Sequence, residues 1–153
     1  MVAILPGSYD PVTLGHVDMI RRAAEEYSRV YVVAFINPEK RYRFTPEERV
    51  EMLKIATRDI PGVTVDYSEG LVIDYMRKHN IDLIVKGYRN DADLAYERGM
   101  AEWNLAHGGY ETRLIKCREG YEHISSTEVR RALDCGGCTD GLLPEAVREY
   151  LDK

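Results

Sequence analysis

The chain has 153 residues, of which 44% are hydrophobic and 31% are charged, as in ordinary globular proteins. Its formal net charge is −5, from 21 Lys and Arg against 26 Asp and Glu, and this argues against binding to nucleic acid or to an anionic membrane. No apolar run reaches the roughly 20 residues that span a bilayer, and no basic leader precedes the first apolar segment. We therefore expect a cytoplasmic protein.

Short apolar, β-branched segments predict strands at residues 2–5, 30–36, 63–67, 82–85 and 112–117. Amphipathic segments predict helices at about residues 15–27, 45–59, 71–80, 92–107, 126–134 and 144–151. Thr45, Pro46 and Glu48 have the pattern of a capping box with proline at the first helical position. The alternation of strands and helices predicts an α/β fold. We expect one domain over residues 1–153, with a doubly wound, five-stranded parallel sheet and C-terminal helices.

Ligands of open parallel sheets bind beyond the carboxyl ends of the strands. The segments predicted to lie there are residues 7–16, 37–40, 68–71, 86–89 and 118–127. Basic and hydroxyl residues recur in four of these five segments, whereas the opposite edge has mainly ordinary turns. Because the net charge is negative, a local basic cluster is what an anionic ligand would need. This edge is the predicted site.

The first of these segments reads GSYDPVTLGH, residues 7–16. Gly7 permits a sharp turn, Ser8 offers a hydroxyl, and the Asp10 carboxylate can accept hydrogen bonds from nearby backbone N–H groups. The segment then enters a helix whose free N–H groups and dipole attract phosphate, with His16 on the first turn as a further donor. The glycine spacing does not match the dinucleotide pattern G-x-G-x-x-G. An ordinary strand–helix turn with a surface histidine would use the same residue types.

Two later segments have similar character. Residues 86–89, KGYR, place two cations around a glycine at a strand end, which suits a polyphosphate. Residues 124–128, ISSTE, offer Ser125 or Ser126 as a helix cap, and the remaining hydroxyl and N–H groups can form an anion-binding nest. Surface cations and a plain helix cap are the structural alternatives, and the residues alone leave both open.

The segments GSYDPVTLGH, NPEK, KGYRNDADLAYE and ISSTEVR, in this order and spacing, resemble those of the bacterial phosphopantetheine adenylyltransferases. The similarity extends over essentially the whole chain. The T-x-G-H segment alone is similar to the signature of the wider nucleotidyltransferase superfamily, which is related to class I aminoacyl-tRNA synthetases. The resemblance implies a Rossmann-like fold and transfer of AMP from ATP to 4′-phosphopantetheine, with Mg²⁺. The products would be dephospho-CoA and pyrophosphate, at the penultimate step of coenzyme A biosynthesis.

The resemblance also implies roles for individual positions. Four are implied to be catalytic: Ser8, His16, Lys40 and Arg89. The implied ATP-binding residues are Ser8, Tyr9, His16, Gly87, Tyr88, Arg89, Glu97, Tyr121, Glu122, His123, Ile124, Ser125, Ser126 and Thr127. The implied acceptor-binding residues are Ser8, Asn37, Lys40, Leu71, Val72, Lys86 and Asn104, with Lys86 on the acceptor phosphate. A homohexamer and feedback binding of coenzyme A are implied as well, whereas the Mg²⁺ ligands are not indicated.

The chain departs from the family pattern at three positions. Lys86 stands where arginine is more frequent, Ser8 where threonine is common, and Ala95 where some relatives have an acidic residue. Lysine keeps the positive charge but loses the bidentate fork of arginine. None of these changes removes a group that the reaction requires. The acceptor phosphate is already ionised at neutral pH, so the reaction needs no strong general base. Catalysis would come from in-line positioning and charge neutralisation.

Two other functions use the same features. One is a nucleotidyltransferase with another acceptor, such as nicotinamide mononucleotide or glycerol 3-phosphate. The other is a non-enzymatic sensor that binds adenine nucleotides. Cys135 and Cys138 have C-x-x-C spacing, but a single pair without a nearby histidine is poor evidence for zinc, and we interpret them as incidental thiols in a loop.

Overall fold

The computed structural model describes residues 1–152, and its five strands form a sheet in which all neighbours are parallel. The strands are β1 (Val2–Gly7), β2 (Arg29–Ile36), β3 (Val63–Glu69), β4 (Leu83–Tyr88) and β5 (Thr112–Lys116). Their order in the sheet is β3-β2-β1-β4-β5. The predicted doubly wound sheet is therefore confirmed, and the strand order reverses between β1 and β4, the position at which such sheets bind ligands.

Helices cover both faces of the sheet. They are α1 (Leu14–Glu26), α2 (Pro46–Thr57), α3 (Val72–His79), α4 (Asp91–Gly108), α5 (Ser126–Asp134) and α6 (Glu145–Leu151). The predicted capping box is confirmed at α2, where the Thr45 hydroxyl accepts from the backbone N–H of Glu48 and the Glu48 carboxylate accepts from that of Thr45. Helix α5 begins as predicted, with Ser125 as its N-cap. None of the helices in residues 1–152 is long and apolar enough to cross a membrane.

Consecutive residues of the central strands pack on opposite faces of the sheet. Leu5 and Val32 join the apolar cluster that includes residues of α1, α2, α5 and α6. Ile4 and Val33 join a second cluster that includes α3. Both faces are thus buried, which explains why these strands show little polar alternation.

Strands β1 and β4 separate toward their carboxyl ends. Their paired residues are Ala3 with Leu83 and Ile4 with Ile84, whereas β1 stays paired with β2 as far as Gly7. Pro6 lies in the part of β1 that is paired with β2 but not with β4, and it has no backbone N–H to donate across that gap. The separation opens a crevice at the point where the strand order reverses.

The fourth strand is longer than predicted. The sequence suggested a strand at residues 82–85, but β4 continues to Tyr88. Its last three residues, Lys86, Gly87 and Tyr88, pair with β5. The prediction ended too early because a lysine and a glycine interrupt the apolar run. The strand nevertheless continues, since backbone pairing with β5 does not depend on side-chain polarity. Lys86 and Gly87 are therefore held by the sheet itself, at the crevice.

Candidate active site

The loop after β1 is fixed by buried hydrogen bonds. The Tyr9 hydroxyl donates to the backbone carbonyl of Leu5 at 2.8 Å, and the Tyr9 backbone is in the left-handed region with φ of 49°. The buried Asp10 carboxylate accepts from the backbone N–H groups of Arg43 and Phe44, both at 2.9 Å. The first loop thereby holds the loop that follows β2.

His16 is oriented by the residue that caps its own helix. The backbone N–H of Thr13 donates to His16 Nδ1 at 3.0 Å, and the Thr13 hydroxyl accepts from the backbone N–H of His16 at 3.3 Å. Since Nδ1 is an acceptor, the proton of the neutral ring lies on Nε2. Burial lowers the pKa of His16 to about 4, and the positive charges of Lys86 and Arg89 act in the same direction. At neutral pH the ring is thus an uncharged hydrogen-bond donor with a fixed tautomer.

Cations meet at the crevice between β1 and β4. Lys40 Nζ donates to Ser8 Oγ at 3.4 Å. Lys86 Nζ donates to the backbone carbonyl of Pro6 at 3.2 Å and lies 3.6 Å from Glu97 Oε1. The side chains of Lys86 and Glu97 are 28% and 14% exposed, so this pair is largely sheltered from water. Lys40 comes from the loop after β2 and Lys86 from β4, and these two strands lie on either side of β1.

The start of α5 forms the opposite wall. The Ser125 hydroxyl accepts from the backbone N–H of Glu128 at 3.2 Å, while the Ser126 hydroxyl donates to the backbone carbonyl of Pro11 at 2.8 Å. Of the two serines proposed as caps, Ser125 caps the helix and Ser126 ties it to the first loop. The backbone N–H groups of the first helical turn have no partners within the helix, and they make this wall suited to an anion.

Two cavities open along this edge. The larger, of about 670 Å³, lies between the crevice and helix α4. Of the predicted residues it is lined by Ser8, Asn37, Lys40, Leu71, Val72, Lys86, Glu97 and Asn104. The smaller, of about 340 Å³, lies between the crevice and helix α5. Of the predicted residues it is lined by Ser8, Tyr9, His16, Lys40, Lys86, Gly87, Tyr88, Arg89, Tyr121, Ile124, Ser125, Ser126 and Thr127.

The cavities share one wall. Five residues line both of them: Pro6, Gly7, Ser8, Lys40 and Lys86. The sequence-predicted residues therefore come together, and all of those implied for the acceptor line the larger cavity. The structure brings the residues implied for ATP together around the smaller cavity, with three exceptions.

Those exceptions concern Glu97, Glu122 and His123. Glu97 lines the larger cavity beside Lys86, rather than the smaller cavity. Glu122 and His123 are exposed and line neither cavity. They occupy the middle of a turn closed by a hydrogen bond from the backbone N–H of Ile124 to the carbonyl of Tyr121. The turn directs Tyr121 and Ile124 toward the smaller cavity and leaves the middle residues outside it.

Sequence reasoning missed two arginines that support the site. Arg130 lines the smaller cavity and donates to the backbone carbonyl of Asp10 at 2.9 Å and to the Thr127 hydroxyl at 3.1 Å. Arg49 is fully buried and donates to the backbone carbonyl of Ser8 at 3.0 Å. A signal for Arg49 was present in the sequence, because it is spaced three, four and seven residues before Met52, Leu53 and Ala56 on the buried face of α2. Arg130 lies in the quoted segment ISSTEVR, but its residue type alone does not separate it from a surface cation.

The described chain offers no ready-made metal centre. In residues 1–152 no group of three or more His, Cys, Asp and Glu side chains could hold a metal ion. The Asp10 carboxylate, in the loop after β1, already accepts hydrogen bonds from the backbone N–H groups of Arg43 and Phe44. Cys135 and Cys138 are exposed free thiols in the loop after α5.

Comparison with known proteins identifies the family. Residues 4–132 match the cytidylyltransferase-like family. The chain is 42% identical to the phosphopantetheine adenylyltransferase of Caldanaerobacter subterraneus, over 98% of this chain and 94% of that protein. It is 38% identical to the protein of the same name from Clostridium novyi, over 99% and 96% of the two chains. It is 45% identical to that from Symbiobacterium thermophilum, over 93% and 88%. The chain thus belongs to the cytidylyltransferase-like family and, within it, to the phosphopantetheine adenylyltransferases, as its motifs predicted.

Proposed function

We propose that this chain transfers AMP from ATP to 4′-phosphopantetheine, giving dephospho-CoA and pyrophosphate. The observation that carries the proposal is the common wall of the two cavities, which bears Ser8, Lys40 and Lys86. A reaction between two anionic substrates needs two binding sites that meet at a positively charged boundary. The name that the three relatives share, phosphopantetheine adenylyltransferase, indicates the substrate class.

We assign ATP to the smaller cavity. Its wall at the start of α5 has hydroxyl and N–H groups, which suit the phosphates of ATP. Gly87 of β4 also lines this cavity, and a Cβ atom at this position would lie only 2.9 Å from the Met19 side chain. A side chain at position 87 would displace Met19 from this wall. Tyr88 and Arg89 continue the same wall, and the ring of Tyr9 packs edge-on against His16 with 4.7 Å between centroids.

We assign 4′-phosphopantetheine to the larger cavity. Its lining combines the apolar side chains of Leu71 and Val72 with the amide side chains of Asn37 and Asn104. An extended chain with amide groups and apolar methylenes can use both kinds of contact. Its phosphate would then reach Lys86 at the shared wall, while Glu97 orients the ammonium group of Lys86.

The proposed chemistry is a direct in-line displacement without a covalent enzyme intermediate. A bond forms between an acceptor phosphate oxygen and the α-phosphorus of ATP, as the bond from that phosphorus to the leaving pyrophosphate breaks. Neutral His16 donates its Nε2 proton as a hydrogen bond to a phosphate oxygen. Lys40 neutralises charge between the two substrates, and Arg89 and the N-terminus of α5 do so on the nucleotide side.

We treat Mg²⁺ as part of the ATP substrate. The side chains described for this site are mainly hydroxyl, imidazole and cationic groups, which are poor ligands for Mg²⁺ compared with carboxylates. The donor set thus gives no reason to assign a resident protein-bound metal. The ATP phosphates supply the oxygen ligands that Mg²⁺ prefers.

A single assay distinguishes this function from its alternatives. The purified chain is incubated with α-labelled ATP and a panel of acceptors: 4′-phosphopantetheine, nicotinamide mononucleotide and glycerol 3-phosphate. Labelled dephospho-CoA with stoichiometric pyrophosphate is the expected result. Label on another acceptor identifies a different nucleotidyltransferase, and ATP binding without pyrophosphate release identifies a sensor.

We also propose that the chain assembles as a homohexamer. Helix α4 has 18 residues, and only one of them, Asn104, is buried. Its large exposed apolar side chains are Tyr96, Met100, Trp103 and Leu105. Apolar helix surface of this extent favours burial against other copies. Light scattering coupled to size-exclusion chromatography measures the number of copies in the assembly.

We further propose that the enzyme is cytoplasmic and that coenzyme A binds it as a feedback ligand. Titration with coenzyme A in the activity assay tests this inhibition.

A further inference from the structure

A buried arginine lies directly behind the wall that the two cavities share. Arg49 is on helix α2 and has no exposed surface. Its Nη1 donates to the backbone carbonyl of Ser8 at 3.0 Å. Its guanidinium carbon lies 4.0 Å from the centroid of the Tyr42 ring. The side chain thus joins the turn after β1 to the loop after β2.

The charge of Arg49 has little compensation. Within residues 1–152, Arg49 makes no salt bridge, and its Nε and Nη2 atoms are buried without a hydrogen-bond partner. Burial of a cation without a counter-ion is unfavourable, and an apolar side chain of similar volume would pack here at lower cost. A charge in this position therefore calls for an explanation other than the stability of the core.

The groups that Arg49 contacts lead to both catalytic positions on the shared wall. Ser8, whose carbonyl it binds, presents its hydroxyl to Lys40 Nζ at 3.4 Å. Tyr42, on which it stacks, accepts a hydrogen bond from the backbone N–H of Asn37 at 2.9 Å. The Tyr42 ring also lies 5.7 Å from Lys40 Nζ. The backbone N–H of Lys40 donates to the carbonyl of Asn37 at 3.0 Å, but its side chain is exposed, and the contacts with Ser8 and Tyr42 restrict the position of the ammonium group.

We propose that Arg49 is a positioning residue for adenylyl transfer: through the Ser8 carbonyl and the Tyr42 ring it fixes Ser8 and Lys40 relative to each other. Its unpaired charge adds positive potential behind the same two groups. This inference rests on the proposed function. It extends that function to a residue that lines neither cavity and touches neither substrate.

The principal experiment compares Arg49→Met and Arg49→Lys with wild type in steady-state assays with ATP and 4′-phosphopantetheine. Because a displacement of about 1 Å at a reacting group can cost about 10²-fold, we expect Arg49→Met to lower kcat about 10–100-fold. Each KM should change less than about threefold, since the cavity linings are intact. Arg49→Lys should recover part of kcat, because lysine keeps the charge and a donor for the Ser8 carbonyl.

Thermal unfolding and circular dichroism report the folded fraction of each variant. A merely structural arginine would lower the melting temperature but leave kcat per folded molecule within about twofold of wild type, and that result overturns the proposal. Arg21→Met is the matched control, because Arg21 is an exposed arginine paired with Asp59, away from both cavities. It removes the same charge and should keep wild-type kinetics.

Tyr42→Leu tests the same connection if Arg49→Met does not fold. This half-buried position loses the aromatic surface that Arg49 stacks on and the hydroxyl that binds the Asn37 N–H. We expect kcat at saturating substrates to fall about 3–10-fold, and Tyr42→Phe to lose less. Because Tyr42 also lines the larger cavity, a change in the KM for 4′-phosphopantetheine reports that direct contact and is read separately from kcat. Wild-type kcat in Tyr42→Leu overturns the proposal. A wild-type chain that forms no dephospho-CoA overturns the proposed function as well, whereas active wild type with unaffected variants overturns only the role of Arg49.

Discussion

The two cavities that meet at the β1–β4 crevice are built in different ways. The smaller is walled by the ends of secondary structure elements: the turn after β1, the last residues of β4 and the first turn of α5. The larger is walled by side chains from the loop after β2, the start of α3 and one face of α4. One cavity therefore relies on backbone groups and the other on side-chain surface.

This difference matches what each substrate demands. A triphosphate is recognised mainly by donors and positive potential, which helix N-termini and glycine-rich strand ends supply from local sequence. A long flexible acceptor needs apolar surface and a few amide groups, which can come from distant segments. The groups that lie between the two substrates, Ser8, Lys40 and Lys86, occupy the common wall. Mutations that affect one substrate and not the other should divide along this boundary.

The largest effect is expected at His16. His16→Ala removes the Nε2 donor of the smaller cavity and should lower kcat about 10²–10³-fold, the loss found for single transition-state donors. Steady-state pyrophosphate release measures it. Thr13→Ala is the matched variant, because it removes the hydroxyl that accepts from the His16 backbone N–H but keeps the imidazole. It should lose about 1 kcal/mol of unfolding free energy and far less turnover. Near-wild-type kcat in His16→Ala would contradict the assignment.

The same histidine predicts a pH dependence of stability. Its pKa is about 4 in the folded protein against 6.5 in the unfolded chain, so between these values the unfolded state binds more protons and stability rises with pH. The contribution is complete above pH 6.5 and is lost as the pH falls to about 4, by about 2–3 kcal/mol. Urea unfolding of wild type and His16→Ala at pH 4.5, 5.5 and 7.5 measures this contribution. The titration of all other groups cancels when the unfolding free energy of the variant is subtracted from that of wild type. A difference in unfolding free energy that is the same at every pH would count against the lowered pKa of His16.

Lys86 should separate the two substrates. Lys86→Ala removes the cation assigned to the acceptor phosphate, and the loss of one charge-assisted hydrogen bond should raise the KM for 4′-phosphopantetheine about 10–100-fold. The KM for ATP should rise less than about threefold. Lys86→Arg, which keeps the charge, should restore most of the acceptor affinity. Equal increases in both KM values would show that the shared wall does not divide the substrates in this way.

Local sequence was sufficient for the fold and for the backbone turns and helix starts around the smaller cavity. The strand–helix alternation gives the sheet, and the turn and cap residues of residues 7–16 and 124–128 specify backbone geometry within a few positions. A cap at Ser125 or Ser126 and the position of His16 on the first helical turn follow from such short-range rules, and the structure selects Ser125. They could be predicted because the groups that define them are neighbours in the chain.

The supporting contacts could not be predicted, because they join segments far apart in sequence. Arg49 reaches the carbonyl of Ser8, and Arg130 reaches that of Asp10, across 41 and 120 positions. Helical spacing places Arg49 on the same face of α2 as Met52 and Leu53, but it does not indicate which carbonyl the guanidinium would reach. Glu97 was assigned to the nucleotide side by resemblance, but the crossing of α4 over the crevice puts it in the larger cavity. Only the packed fold determines such distances.

Ser125 offers the smallest test of the boundary, on the nucleotide side. Ser125→Ala removes the cap of α5 and should cost about 1 kcal/mol of unfolding free energy. Because fraying of the first turn disorders the N–H groups facing the nucleotide, the KM for ATP should rise about 3–10-fold with little change for 4′-phosphopantetheine. Thr45→Ala is the matched control: it removes the equivalent cap of α2, which lines neither cavity. Thr45→Ala should lower the unfolding free energy by a similar amount and leave both KM values unchanged. If both KM values rise in Ser125→Ala but not in Thr45→Ala, the start of α5 also serves the acceptor.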